Sequence, residues 1–430
     1  MDFAGVARYI FMGLIAIFTL VAFVGSTTTD KRGLRGIYAV QNVITFVIHL
    51  IGYLVLYMGA NDMKYIILYI CEFALLFATI VVYDVAYPKA SRILVNNMVL
   101  LEAIGFIMIA RLNYDECVRQ FILGCIGTVI TFFVPAFLKN VRQMRNWGWI
   151  FAAVGFALLV ILLVAGRTDY GANLAIEFGP VRLQPAEFVK ILFVLFIASM
   201  FNKLTNWKQI LIVSGIAFAH VLILVVSRDL GAALIFFVAY LAMLYVATRK
   251  VYLFLGGIGA GILGGFLATK VFSHVQRRFE IWRDPWKDVH GNGWQIAQSL
   301  FALSAGGWMG VGLGKGMPGL VPWVDQDMMI SAIAEEMGMI FVIALILVCL
   351  CNLFLMMGIA SRCNTLFYRL VAVGLGATYG IQIFLTIGGA IKLIPLTGVT
   401  LPFISYGGSS LISSLIMFAL INGMYTMRKE

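Results

Sequence analysis

Windows of roughly 20 apolar residues follow one another along almost the whole chain, and this repetition constrains the fold more than any other feature. Such a segment can satisfy its backbone polar groups within hydrocarbon only as a helix or as part of a closed barrel. Strand-length alternation of the barrel kind is absent. Of 430 residues, 62% are hydrophobic and 12% charged, whereas a soluble domain carries about a quarter charged residues. The expected fold is therefore all-α: a polytopic membrane helix bundle of about thirteen spans, running from 8–26 to 405–426, with the eleventh over 328–356.

Charge sets the threading. Lys31/Arg32/Arg35, Lys89/Arg92, Lys139/Arg142/Arg145, Lys203/Lys208, Arg249/Lys250, Arg362/Arg369 and Arg428/Lys429 fall on one side if the N-terminus is outside and the C-terminus inside. The net charge of +11 is first a matter of these loops and only second of an anionic ligand. The first apolar run, Ala7 to Gly25, has its cationic cluster after it and no A-x-A cleavage site, so it reads as an uncleaved helix. The six cysteines are scattered without a CxxC pair, which excludes a disulfide framework. The four histidines are far apart and form no HExxH pattern, which argues against a protein-built zinc site. With no soluble domain, low-complexity tract or repeat, the function falls to the bundle and its outer loops. The expected partners are lipids and membrane proteins, not nucleic acid.

The outside then holds one long segment, 272–327, before the eleventh helix. Trp282, Trp286 and Trp294 suit the lipid–water boundary. "GWQIAQSLFALSA" has the pattern of a short helix on or dipping into the interface. A second outer segment, 391–404, is apolar and carries Pro395, Gly398 and Pro402, so it is expected to fold back onto the protein. "GGWMGVGLGKG" (306–316) looks like a phosphate loop but fails its spacing: Met309 stands where the first glycine belongs, and Gly316 follows Lys315.

Several constellations could carry chemistry. "WVDQDMMISAIAEE" (323–336) puts Asp325, Asp327, Glu335 and Glu336 at the head of an apolar run, where carboxylates are costly. Asp327 reads as a general base or metal ligand, or else as a helix N-cap. Glu335 and Glu336 read as internal supports, and Asp325 as solvated rim. "QPAEFVK" (184–190) opens a span with Glu187 and Lys190 three apart on one helix face, either a functional pair or a packing ion pair. Arg277, Arg278, Arg283 and Lys287 run against the positive-inside bias. They suit a lipid-linked phosphate, or local pairing with Glu280, Asp284 and Asp288. "PFISYGGSS" (402–410), with Ser405, enters the last span and offers close packing and an anion-binding helix terminus. Glu72 and Glu102 are mid-span carboxylates suited to bonds between helices.

Taken together, "QPAEFVK", "RDLGAAL" (228–234), "RDPWKD…GNGWQIAQSLFALSAGGWMGVGLGKG", "VPWVDQDMMISAIAEEMG" and "LIPLTGVTLPFISYGGSSLISS" resemble the SEDS family of bacteria, the RodA/FtsW/SpoVE proteins, from about residue 93 to the end. The resemblance implies a ten-helix polymerase core over 93–430 and an accessory three-helix module over 1–92. It implies a bacterial plasma-membrane enzyme that polymerises peptidoglycan strands from lipid II beside a class B penicillin-binding protein. The family's conserved loop acid falls on Asp327, its Glu and Lys on Glu187 and Lys190, and its loop arginine on Arg278. Ser405 of the "PFISYGG" motif joins them as a substrate-binding candidate. In departures from the family pattern, Asp325-Gln326 stands for His-Thr, Thr386 for Asn, and Lys392 for a small residue.

Elementary chemistry agrees with that implication. Pyrophosphate leaves without protonation, so the reaction needs one base for a sugar hydroxyl and cations for the leaving group. Asp327 can be the base, Arg278 and Lys190 the cations, with a divalent ion such as Mg or Mn as a further expectation. Two other readings are a lipid II flippase, suited by the intramembrane charges, and a non-catalytic scaffold of the division or elongation machinery.

Overall fold

The computed structural model describes residues 3–28, 30–169, 172–178, 181–203 and 206–427. The order of elements is α1 (Phe3–Thr27), α2 (Lys31–Ala60), α3 (Lys64–Ala86), α4 (Arg92–Leu112), α5 (Tyr114–Asn140), α6 (Gly148–Ala165), then β1 (Arg167–Asp169), β2 (Ala172–Phe178) and β3 (Val181–Leu183). There follow α7 (Pro185–Asn202), α8 (Trp207–Val226), α9 (Leu230–Thr248), α10 (Val251–Val271), α11 (Ser273–Arg283), α12 (Trp294–Gly306), α13 (Met329–Met337), α14 (Met339–Ser361), α15 (Leu366–Ala390) and α16 (Gly408–Thr426). Among the described residues, 13 helices are long and apolar enough to cross a membrane. The basic connections named above lie at one end of the bundle, here the basic end; the long segment lies at the other, the loop end. Arg428 and Lys429 lie outside the described residues.

The structure departs from the sequence reading in three places. The eleventh span is not 328–356 but α14. The chain breaks at Gly338, whose φ of 89° suits glycine alone, and a Cβ there would stand 2.4 Å from the Gly310 nitrogen. Hydropathy runs through the break because α13 is itself apolar, but every α13 side chain is buried in protein. The last span starts at Gly408, not 405, after a turn over 402–407. A small antiparallel sheet, β1–β2–β3, joins α6 to α7 at the loop end; three short strands amid long helices leave little periodic signal.

Apolar burial between helices gives little drive in lipid, so contact and hydrogen bonds decide the packing. Helix α4 is the axis: every residue from Ile93 to Ala110 is buried. Helices α1–α3 cover it and belong to the same core as the rest of the chain. A buried amide ladder crosses four helices. Asn96 Nδ2 donates to Gln41 Oε1 (3.2 Å), Gln41 Nε2 to Asn97 Oδ1 (3.2 Å), Asn97 Nδ2 to Asn352 Oδ1 (2.8 Å) and Asn352 Nδ2 to the Tyr379 hydroxyl (3.3 Å). Bonds of this kind within a membrane are worth about 1 kcal/mol each.

The loop end is closed by a backbone clamp. Val311 and Gly312 N–H groups donate to the Glu335 and Glu336 carbonyls, and Met339 and Ile340 donate to Gly307 and Trp308. Helix α1 braces this clamp, since Arg8 Nη1 donates to the Gly310 carbonyl at 2.6 Å. Gly310 has φ of 71°, and a Cβ there would meet the Glu336 carbonyl at 2.4 Å. Gly310→Ala is therefore expected to cost about 1–3 kcal/mol, and Arg8→Ala about 1 kcal/mol. Thermal unfolding in detergent reads both; a Gly310→Ala chain as stable as the native one would mean the clamp opens at no cost.

Candidate functional site

Helix α7 starts at Pro185, which suits a first turn. Glu187 and Lys190 then stand one turn apart, and Lys190 Nζ donates to Glu187 Oε2 at 2.6 Å. Lys190 also donates to Gln382 Oε1 (3.0 Å), while the Ser413 hydroxyl donates to Glu187 Oε2 (2.7 Å). The pair thus ties α7 to α15 and α16. Gln382 Nε2 in turn donates to the Thr400 carbonyl (3.0 Å), and Thr386 donates to the Val399 carbonyl (2.9 Å). These bonds hold the 391–404 segment against the protein, as its composition foretold, with Thr386 serving where an Asn was the family pattern.

Helix α11 lies over that segment. Arg278 Nη1 donates to the Leu396 carbonyl (3.1 Å) and Trp282 Nε1, one turn on, to the Lys392 carbonyl (3.1 Å). Helix α12 then supplies Gln295, whose Nε2 donates to Asp327 Oδ1 at 3.1 Å. Asp327 follows a turn in which Trp323 has φ of 57°. It is not the cap of α13: the residue before that helix is Met328, and no side chain caps it. The cap reading of this acid thus has no hydrogen bond behind it.

Asp327, Arg278, Glu187 and Lys190 line one cavity of about 290 Å³ at the loop end. Asp229, Arg182, Arg228 and Gln295 share its wall. Burial pushes the Asp327 carboxyl up to about 7, with the field of Asp325 adding to it and Arg278 and Gln295 opposing it. Burial also raises Asp229, whose Oδ1 caps α9 by accepting the Ala232 N–H (2.9 Å). Arg278 is lowered by burial and held up by Asp229 and Asp327 on either side. The result is a buried acid raised toward neutral pH that lines the same small cleft as the cations Arg278 and Lys190. That is the arrangement for taking a proton beside a developing phosphate charge.

Other candidates lie elsewhere. Ser405, expected to bind substrate, is buried off the cavity, and its hydroxyl accepts the Leu401 N–H (3.0 Å); it shapes the turn before α16. Glu335 Oε1 accepts the Met317 N–H (2.8 Å), and Glu336 Oε1 accepts Arg111 Nε (3.1 Å) and the Gly316 N–H (3.3 Å). Both therefore hold the glycine-rich loop. Burial raises Glu336, and Arg111 opposes that. Asp325 is partly exposed, and its carbonyl accepts the Tyr406 N–H (2.7 Å). Glu72 bonds His49 Nε2 at 3.0 Å inside the bundle, and Glu102 is buried beside it; neither lines the cavity. Asp229 escaped the sequence reading although "RDLGAAL" was in view; an Asp three residues before an Ala N–H at a helix start is the signal that would have marked it. Among the described residues no group of three or more His, Cys, Asp or Glu side chains is placed to hold an ion. The site does not fit a protein-built metal cage.

The Glu187–Lys190 pair can be tested directly. Lys190 is nearly inaccessible and Glu187 mostly so. Lys190→Met leaves the carboxylate unpaired, at a cost of about 3–5 kcal/mol. The swap Glu187→Lys with Lys190→Glu is expected to regain thermal stability but little activity, because it moves the cation within the cavity. Recovery of both would make the pair a packing device only.

Comparisons with known proteins bear on the family and the fold. The FtsW/RodA/SpoVE profile, described as cell cycle protein, matches residues 92–430. The chain is 32% identical over 365 residues to "Peptidoglycan glycosyltransferase RodA" of Mycobacterium tuberculosis, covering 78% of this chain and 77% of that one. It is 31% identical over 356 residues to "Stage V sporulation protein E" of Bacillus subtilis, covering 76% and 95%. It is 32% identical over 358 residues to "Probable peptidoglycan glycosyltransferase FtsW" of Escherichia coli, covering 77% and 84%. Among solved structures, RodA of Thermus thermophilus superposes with a TM-score of 0.61 at 22% identity, covering 80% and 99%. A chain from "Structural coordination of polymerization and crosslinking by a peptidoglycan synthase complex" superposes at 0.69 and 24% identity, covering 78% and 97%. At those identities the two structures speak to the fold.

Proposed function

The chain belongs to the FtsW/RodA/SpoVE family, and we propose that it is a peptidoglycan glycosyltransferase that polymerises glycan strands from lipid II in the loop-end cavity. The observation that carries this reading is the meeting of Asp327, Arg278 and Lys190 in one cleft, from three distant parts of the chain. Asp327, in its ionised form, takes the proton from the acceptor hydroxyl of lipid II. The oxygen forms a bond to the anomeric carbon of the growing lipid-linked strand. The bond from that carbon to pyrophosphate breaks, and the electron pair leaves with the lipid pyrophosphate, whose charge Arg278 and Lys190 receive. Displacement from the opposite face inverts an α-linked donor to a β-linked product. The clustering of acids and cations at one end favours this over a transport path, which would continue across the membrane.

Around this activity we propose a class B transpeptidase as partner, a reading supported by the synthase-complex structure, described as coordinating polymerization and crosslinking. The positive-inside pattern supports a bacterial plasma-membrane location with the loop end and N-terminus outside and the C-terminus inside. Residues 1–92 are an accessory brace: none of their described residues lines the loop-end cavity, and they reach the clamp through Arg8. Impermeant thiol labelling of single cysteines introduced at Trp286 and Asn364, in a background lacking native thiols, reads the orientation. Labelling at 364 but not 286 in intact cells reverses it.

Polymerisation of purified lipid II tests the chemistry. Asp327→Asn keeps the size and the Gln295 neighbour but cannot accept a proton, and it is expected to insert, melt normally and polymerise almost nothing. A base must be ionised, so the native rate is expected to fall as pH drops through about 7, the value to which burial raises Asp327. A near-native rate for Asp327→Asn, or a flat profile from about pH 6 to about 8 with chemistry rate-limiting, would remove Asp327 from the base role.

A further inference from the structure

A second, larger cavity of about 830 Å³ opens at the basic end, where the ends of α3, α5, α15 and α16 meet. We propose that it is a binding site for the headgroup of an anionic phospholipid. Its lining includes Lys89, Lys139 and Arg145 together with the side-chain amides of Asn140 and Asn364, and among the described residues no acidic side chain lines it. Positive-inside bias alone would scatter such cations over a convex surface; here three of them line one concavity, where low-dielectric walls focus a positive field. Its inner wall is apolar, with Pro135 and Phe367 buried.

Apolar helix surface adjoins the cavity. Ala86 and Ala136 line the cavity. Beside them, Val85 on α3 and Phe133 and Phe137 on α5 are 77%, 70% and 49% exposed, forming an apolar approach between these two helices. A phosphodiester in the cavity would place its acyl chains along that approach, which a free phosphate could not use. The occupant would bridge α3, from the N-terminal helices, to α5, α15 and α16. The site is remote from the loop-end cavity and shares no residue with it, so this inference does not depend on the proposed reaction.

The test uses the full chain in a zwitterionic detergent, with cardiolipin, phosphatidylglycerol, phosphatidylcholine, glycerol phosphate or inorganic phosphate added. The expected result is a rise in melting temperature, and a retained lipid in native mass spectrometry, with the two anionic lipids only. Removing one lining cation weakens anionic-lipid binding about fivefold, from roughly 1 kcal/mol per Lys or Arg. Lys139→Gln with Arg145→Gln should then abolish most of the shift while melting as the native chain does in detergent alone and polymerising lipid II at the native rate. Should the double variant not insert, the two single variants carry the test. Equal anionic-lipid binding by native and variant chains overturns the proposal. So does an equal rise from inorganic or glycerol phosphate, which would make this a site for free anions, or from phosphatidylcholine, which would make it a site for acyl chains.

Discussion

Everything at the loop end hangs on the pairing of residues 307–312 with 335–340. Main-chain bonds from Val311 and Gly312 to the Glu335 and Glu336 carbonyls lock two irregular stretches together. The side chains of the same two glutamates receive the N–H groups of Met317 and Gly316, and Arg111 adds its guanidinium to Glu336. Irregular backbone survives at a membrane boundary only when its polar groups are met within the protein. The two carboxylates are therefore placed where a glycine-rich loop would otherwise have bare N–H groups. With the clamp closed, α13 is fixed, and so is the turn at Trp323 that presents Asp327.

The cleft is built by the same economy. Lys190 cannot sit buried without Glu187 and Gln382, and Gln382 cannot hold Lys190 without also holding Thr400. One chain of bonds thus neutralises an intramembrane charge, joins three helices and positions a wall of the cavity. Arg278 does likewise, fastening α11 to Leu396 while its charge lies between Asp229 and Asp327. Stability and the proposed function draw on the same side chains. Substitution in this cluster will often lower both, and the swap and isosteric variants are needed to separate them.

The N-terminal helices are tied to the rest of the fold by specific bonds. They bring no group to the cleft, yet Gln41 enters the amide ladder and Arg8 reaches the clamp. Helix α4, the start of the part that resembles the family, is wholly covered because they are there.

The sequence alone determined the number of spans, which basic connections share one end of the bundle, and the pairing of Glu187 with Lys190. Each depends on neighbours within a turn or on composition over a window, and such local terms are written in order along the chain. It also singled out Asp327 and Arg278, through motifs whose spacing was familiar. It could not show the break at Gly338, because an apolar helix buried in protein and one buried in lipid have the same hydropathy. It set Ser405 at the site and passed over Asp229, because whether a polar side chain faces the cleft or its own turn depends on elements far away in sequence. Only the tertiary structure brings α7, α9, α11, α12 and the 323–328 turn to one point. Only there does burial move the Asp327 carboxyl toward neutrality, since desolvation is a property of the surroundings and not of the residue.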